Sequence, residues 1–208
     1  MGISERKVRA KEELRQNIID AALKIFVVEG YEKTSIRNIA DSIEYSPGTI
    51  YLHFKDKDEL LFAVHEVAFT QFFEAMAPCL LISDIRSRLH QMGHTYIQFA
   101  IQNPELYGLM FMDKAPMNCL LETDGAWLCG KNLHNLLRDT VAEIGQTHGF
   151  SELEIDSYTL SIWSYVHGIT SLAIRDRLCV INEKAYELDE MINHSMALML
   201  DKLLPKSI

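Results

Sequence analysis

Proline and glycine are scarce in this chain, with 5 and 10 residues among 208. Runs of alternating β-branched residues are scarce as well, so strands and their turns have little to be built from. An all-α fold is the reading that remains. The four cysteines (Cys79, Cys119, Cys129, Cys179) form no C-x-x-C pair. Scattered thiols fit a reducing compartment better than a disulfide frame or a zinc site. No apolar run approaches the ~20 residues that span a bilayer, and the first 17 residues are polar and charged, unlike a secretory leader. A soluble, cytoplasmic protein without a membrane partner is expected. Also missing are a phosphate-cradling glycine loop, a carboxylate pair and a nucleophile–base pair at useful spacing. Cys129 with His134 comes nearest, and it is weak. The expectation is a protein that is not an enzyme, with no catalytic residues and no cofactor.

What is present is a core and an uneven charge. Hydrophobic residues make up 48% of the chain and charged ones 24%, enough to bury a sizeable interior. The net charge of −9 is not spread evenly: residues 1–60 hold ten Lys/Arg against eleven Asp/Glu, and residues 61–208 hold ten against eighteen. A near-neutral head on an acidic body suits a protein that meets a polyanion at one end only.

The stretch from Thr34 to Lys57 organises the rest. Thr34 is a candidate N-cap, and Ile36, Ile39, Ala40 and Ile43 follow at i, i+3, i+4 and i+7, one apolar helical stripe. Glu44 and Tyr45 break the stripe. Ser46 is a second candidate cap, with Pro47 in the first helical position, where a missing N–H costs nothing. Ile50 and Phe54 can then pack back onto the first stripe. This leaves a short helix with a small amino end (Ser46, Pro47, Gly48, Thr49), flanked by His53, Lys55 and Lys57. Such an end fits a DNA major groove, with neighbouring donors on phosphates. A plain three-helix core would show much of the same spacing.

The surrounding run, IIDAALKIFVVEGYEKTSIRNIADSIEYSPGTIYLHFKDKDELL (Ile18–Leu61), resembles the DNA-binding domain of the TetR family of bacterial transcriptional regulators. The matching features are A-A-x-x-x-F before Gly30, Thr34–Ile36, the S-x-G-T-I-Y-x-H-F block and the K-D-K-D-E-L-L opening of the next helix. The resemblance implies a helix-turn-helix DNA-binding domain with an N-terminal arm over residues 1–58, and a ligand-binding and dimerisation domain over 59–208. It implies DNA contacts from Thr34, Ser35, Arg37, Ser46, Pro47, Gly48, Thr49, Tyr51, His53, Lys55 and Lys57. Leu52 stands where the family often has a second aromatic, which suggests packing or a thymine methyl there. Tyr51→Ala and Lys57→Ala are expected to weaken operator binding with little loss of thermal stability.

Elsewhere the pattern predicts a helix over Leu14–Glu29 stopped by Gly30, preceded by a charged leader with Arg6, Lys7, Arg9 and Lys11. That leader is either a frayed helix start or an arm for phosphate or minor-groove contacts. A capping arrangement at Asp56–Glu59 opens a connecting helix that ends before Pro78. Further helices are expected over about 84–102, 104–112 (capped by Asn103), 123–147, 151–176 (boxed by Ser151 and Glu154) and 183–204.

Aromatics and methionines crowd the body. Most are core, since methionine fills irregular gaps, yet a pocket between bundle helices is a usual place for a small molecule. By resemblance, the body binds an inducer or corepressor. A largely apolar effector is expected among Met92, Tyr96, Phe99, Met110, Phe111, Trp127, Trp163 and His167. WSYVHG (Trp163–Gly168) is similar to the W-x-x-x-H-G signature of one subgroup of such domains, as is PELYG (Pro104–Gly108); close helix packing at Gly168 is the alternative. His90 and His94 have a spacing that can hold a metal, but two solvated histidines are commoner, and no metal is expected. Two stripes, Leu160, Trp163, Val166, Ile169, Thr170, Ala173 and Ala185, Leu188, Ile192, Met196, Met199, Leu203, suit a homodimer through the last two helices. The partner at the other end would be a double-stranded, palindromic DNA operator.

Overall fold

The computed structural model describes residues 2–113, 128–181 and 187–205. Met117, Cys119, Trp127 and Ala185, and the side chains of Cys129 and Cys179, lie outside the described residues. Every regular element among those described is helical. In chain order they are α1 (Ile3–Glu29), α2 (Ile36–Ser42), α3 (Pro47–Tyr51), α4 (Lys57–Met76), a 3-10 turn (Ala77–Leu81), α5 (Ile85–Gln102), α6 (Pro104–Phe111), α7 (Leu128–His148), α8 (Glu152–Ala173), α9 (Arg177–Ile181) and α10 (Leu188–Leu203). The chain folds as two compact units: Met1–Phe69 with Glu105–Trp127, and Thr70–Pro104 with Leu128–Ile208.

In the first unit the charged leader is helical. It is the exposed start of α1, continuous from Ile3. Gly30 ends that helix at φ 83°, a conformation that costs glycine little. Ser35, not Thr34, caps α2, its hydroxyl accepting the Asn38 N–H at 3.2 Å. Thr34 is buried, and its hydroxyl donates to the Gly30 carbonyl at 2.9 Å instead. Glu44 makes the turn between α2 and α3 in the left-handed region, at φ 59°. Ser46 caps α3 through the Thr49 N–H, with Pro47 behind it. Asp56 accepts the Glu59 N–H at 2.8 Å and starts α4.

The core of this unit joins Ile18, Ile19, Ala22 and Phe26 of α1 to Ile39, Ile50, Phe54, Leu60, Leu61 and Val64. Leu109 of α6, only 2% exposed, completes it from 45 residues beyond Val64 in sequence. The linear pattern gave no sign of that.

In the second unit α5 buries Leu89, Met92, Gly93, Tyr96, Ile97 and Ala100, an i, i+3, i+4 stripe. A Cβ on Gly93 would fall 2.3 Å from Met196 Cε and 3.3 Å from Val166 Cγ2, so glycine lets α5, α8 and α10 meet there. Asn103 closes α5, its amide donating to the Phe99 carbonyl at 2.9 Å, where it was expected to open α6. The Ser151–Glu154 box opens α8 as expected. The helix expected over 151–176 ends at Ala173, and α9 restarts at Arg177 after Asp176 at φ 54°.

One stretch, Lys57–Leu81, is long and apolar enough by length and composition to cross a membrane, contrary to the reading of the sequence. The reason is packing: α4 supplies Leu60, Leu61 and Val64 to the first core and buries Phe72 in the second unit, so it is apolar on more than one face.

Candidate functional site

Burial divides the head into an inner and an outer face. Ile36, Ile39, Ala40, Ile50 and Phe54 point inward, while Ser35, Arg37, Ser46, Gly48, Tyr51 (55%), Leu52 (76%) and Lys55 are exposed. Pro47, Thr49 and His53 are half-buried at the edge of that outer face. The Ser46 and Thr49 hydroxyls lie 3.1 Å apart and fix each other at the amino end of α3. A Cβ added at Gly48 would meet nothing nearer than Ser46 Oγ at 3.6 Å, so packing does not demand glycine there.

Two of the expected DNA contacts are spent inside the protein. Thr34 is buried, as described above. Lys57 donates to the carbonyls of Tyr31 and Thr34 at 3.0 and 3.1 Å, with its ammonium 4.0 Å from the Tyr31 ring centroid. It clamps the α1–α2 turn onto α4 and is not a free cation for a phosphate. Tyr31 also donates its hydroxyl to Asp58. Arg37 and Lys55 are exposed and only loosely paired, with Asp41 and Asp56 at 3.8 Å each.

In the second unit Tyr96, Trp163 and His167 come together. The Trp163 indole donates to the Tyr96 hydroxyl at 3.4 Å, and that hydroxyl lies 3.2 Å from His167 Nδ1. Phe72 packs edge-on to Tyr96 and tilts against Phe99. Met92 is buried beside the Thr140 hydroxyl, and His134 lies at the Trp163 edge, 6.2 Å between centroids. Burial holds the His167 imidazole below its usual pKa, so it is neutral at neutral pH. The WSYVHG segment thus joins an aromatic, hydrogen-bonded cluster with Tyr96. Gly168 does not permit close packing within the chain: it is exposed, and no atom lies within 4 Å of the Cβ position.

Met110 and Phe111 fall in the first unit. Phe111 packs edge-on to Phe69, and the Met110 carbonyl lies 3.2 Å from His65 Nε2. His90 and His94 are half-buried and partnered, not a free solvated pair. His90 Nε2 lies 3.1 Å from the Asn193 carbonyl, and His94 Nε2 lies 2.9 Å from Asp189, so both reach α10. A groove of about 430 Å³ opens between α5 and α10, with Asp84, Arg86, Ser87, His90, Gln91 and Asp201 beside the apolar Ile82, Ala197 and Leu200. It is not lined by the Tyr96 cluster.

Two features escaped the sequence reading. His65 is buried in α4, and burial pushes its pKa down to about 4. Lys11 and Arg15 of α1 face His53; their four-residue spacing was the available signal. His65 carries a pH prediction. Its folded pKa lies below the unfolded ~6.5, so between those values the unfolded chain binds the extra proton and stability is lost as pH falls. The loss is expected to approach about 3 kcal/mol as pH drops from ~6.5 towards 4. It should shrink in His65→Gln, which keeps a donor but does not titrate. Thermal melts across that range check it.

The fold and both faces define an all-helical chain with a helix-turn-helix head and a helical second unit. Residues 18–64 match the family model described as bacterial regulatory proteins, tetR family, and residues 89–199 match the tetracyclin repressor-like C-terminal domain. The chain belongs to the TetR family of bacterial transcriptional regulators. Among its relatives, the fatty acid metabolism regulator protein of Bacillus subtilis is 33% identical over 69 residues, 33% of this chain and 36% of that protein. The regulator HbdR of Aromatoleum is 49% identical over 51 residues, 24% of this chain and 22% of that protein. These matches span a minor part of the relatives' length. Among solved structures, FadR from Bacillus subtilis in complex with stearoyl-CoA has a TM-score of 0.67 at 19% identity, covering 91% of this chain and 99% of that one. A Rhodococcus protein of unknown function reaches 0.73 at 23% identity, covering 92% and 96%. At such identities these structures support the fold.

Proposed function

We propose that this chain is a cytoplasmic, ligand-responsive repressor, and not an enzyme, that binds a palindromic operator as a homodimer. Residues 1–58 read DNA, and residues 59–208 bind the effector and dimerise. The amino end of α3 enters the major groove, where Gly48, Thr49 and Tyr51 lie against bases or the adjacent backbone. Ser35, Arg37, Ser46, Pro47, His53 and Lys55 face the neighbouring backbone. The observation that carries this reading is Gly48: packing leaves room for a side chain there, whereas close approach of a duplex would not.

Dimerisation through α8 and α10 is supported by the outward face of α8. Leu153, Leu160 and Leu172 are exposed there beside Ser157, Ser161, Ser164 and Gly168, a run without charge. Val166, Thr170, Ile192 and Met196 are committed to the chain's own core, so the partner would meet the other side of each stripe. Two α3 helices roughly 34–36 Å apart would then read successive major grooves.

The effector is a small, largely apolar molecule held near Met92, Tyr96, Phe99, Trp163 and His167. Acyl-CoA thioesters are the first probes to try, because a protein of the same fold is known with stearoyl-CoA. Release would be a shift between conformers with different head packing. Since Leu109 lies in the head core, displacing α6 changes that packing directly.

Tyr51 tests the reading. Tyr51→Ala is expected to weaken binding to DNA from upstream of the gene by about tenfold or more, while leaving the melting temperature near that of the parent, because the ring is exposed. Unchanged affinity at matched salt would remove Tyr51 from the interface.

A further inference from the structure

Several cations of the head already have partners within it. Arg9 pairs with Glu13 at 2.8 Å, Arg37 with Asp41, Lys55 with Asp56, and Lys57 holds two carbonyls. Lys11 and Arg15 have no ion-pair partner among the described residues. Four residues apart, they sit one above the other on α1. The Arg15 guanidinium lies over the Phe54 ring, 5.0 Å from its centroid, which holds it beside the carboxyl end of α3.

Both cations bear on His53, with Glu12 the only opposing charge among the groups that act on it. His53 Nδ1 is buried without a hydrogen-bond partner. An N–H there would have no acceptor, so the proton belongs on Nε2. Burial first, then Lys11 and Arg15, hold the imidazole below its usual pKa, so a second proton is disfavoured. His53 is therefore a neutral donor through Nε2, with two cations beside it.

We propose that Lys11 and Arg15, with the Nε2–H of His53, form a second phosphodiester site, apart from the amino end of α3, that holds the DNA backbone beside the recognition helix. The site rests on the DNA-binding reading and adds α1 to it. Its charge comes from Lys11 and Arg15, and its geometry from Phe54 and His53. It contributes to every duplex alike, since a phosphate carries no sequence.

The test titrates full-length protein onto labelled duplex from upstream of its gene, and onto an unrelated duplex, over a salt series. Lys11→Ala and Arg15→Ala should each weaken both duplexes about fivefold near physiological salt and lower the slope of log K against log salt by about 0.9. Arg15→Lys should retain the slope, separating charge from any loss of packing on Phe54. Glu12→Gln should strengthen both duplexes by about twofold, a gain that damage to the fold would not produce.

Unchanged slopes in both alanine variants, or no gain in Glu12→Gln, would overturn the site. Inorganic phosphate at matched ionic strength that displaces DNA from the parent but not from Lys11→Ala would identify a free-phosphate site instead, which also overturns it. A parent that binds neither duplex in a salt-dependent way would sink the DNA reading itself. Binding that persists with unaltered slopes sinks only this site.

Discussion

Leu109→Ala is expected to destabilise the head by about 2–4 kcal/mol, although the residue lies 45 positions beyond Val64. The side chain is 2% exposed and closes a core otherwise built from α1 to α4. Truncating it removes transfer energy and leaves a cavity among Ile, Phe and Leu side chains that cannot collapse freely. The melting temperature should fall by roughly 5–10 °C for a chain of this size. Amide hydrogen exchange should rise in α1 and α3, whereas a loss confined to the second unit would speed exchange in α5 and α8. Leu109→Met should recover most of the stability, since it restores volume. If exchange in α1 and α3 is unmoved, Leu109 does not belong to the head core, and the link from α6 to DNA reading goes with it.

Lys57→Ala is expected to cost about 2 kcal/mol, not the negligible amount that an exposed lysine implies. Its ammonium makes two hydrogen bonds to carbonyls at 3.0 and 3.1 Å and sits on the Tyr31 ring. Alanine leaves those carbonyls without their charged donor and removes the cation–π contact, itself worth about 0.5–2 kcal/mol. Operator affinity should also drop, because the clamp sets the turn that precedes α2. The drop should be partly restored by conditions that stabilise the fold, such as added osmolyte. Salt dependence decides the matter. A structural lysine leaves the slope of log K against log salt near the parent value, and a phosphate ligand lowers it by about 0.9. A lowered slope with unchanged melting would return Lys57 to the DNA contacts.

The legible parts of the sequence were those fixed by neighbours in the chain. Gly30 as a helix stop, Ser46 with Pro47, and the Ser151–Glu154 box depend on bonds spanning a few residues, and each forms as the pattern implies. The Ile36–Ile39–Ala40 stripe and its partners Ile50 and Phe54 follow from helical period alone. Adjacent hydroxyls were harder. Thr34 and Ser35 can both cap, and the choice was made by the Gly30 carbonyl, which takes the Thr34 hydroxyl and leaves Ser35 for α2.

Tertiary contacts were not legible. Nothing in the spacing places Leu109 in the head, Arg15 over Phe54, or the Lys57 ammonium on two carbonyls. His90 and His94 read as a solvated pair because their partners, Asn193 and Asp189, lie about a hundred residues away. The short α9 was missed because aspartate, here Asp176, tolerates the left-handed backbone that separates it from α8 without announcing it. For the second unit, the resemblance at WSYVHG and helical spacing pointed to Trp163 and His167, but only the fold adds that Tyr96 joins them through hydrogen bonds.

The central claim is that the outer face of α2 and α3 reads DNA. Its most direct measurement is titration of the full-length protein into labelled duplex from immediately upstream of its gene, at two salt concentrations, with unrelated duplex as competitor. The account predicts binding that survives the competitor, weakens with salt, saturates at an even number of chains and is about tenfold or more weaker in Tyr51→Ala with the fold intact. Equal affinity for unrelated duplex, repeated when genome-wide fragments are offered for capture, would contradict it.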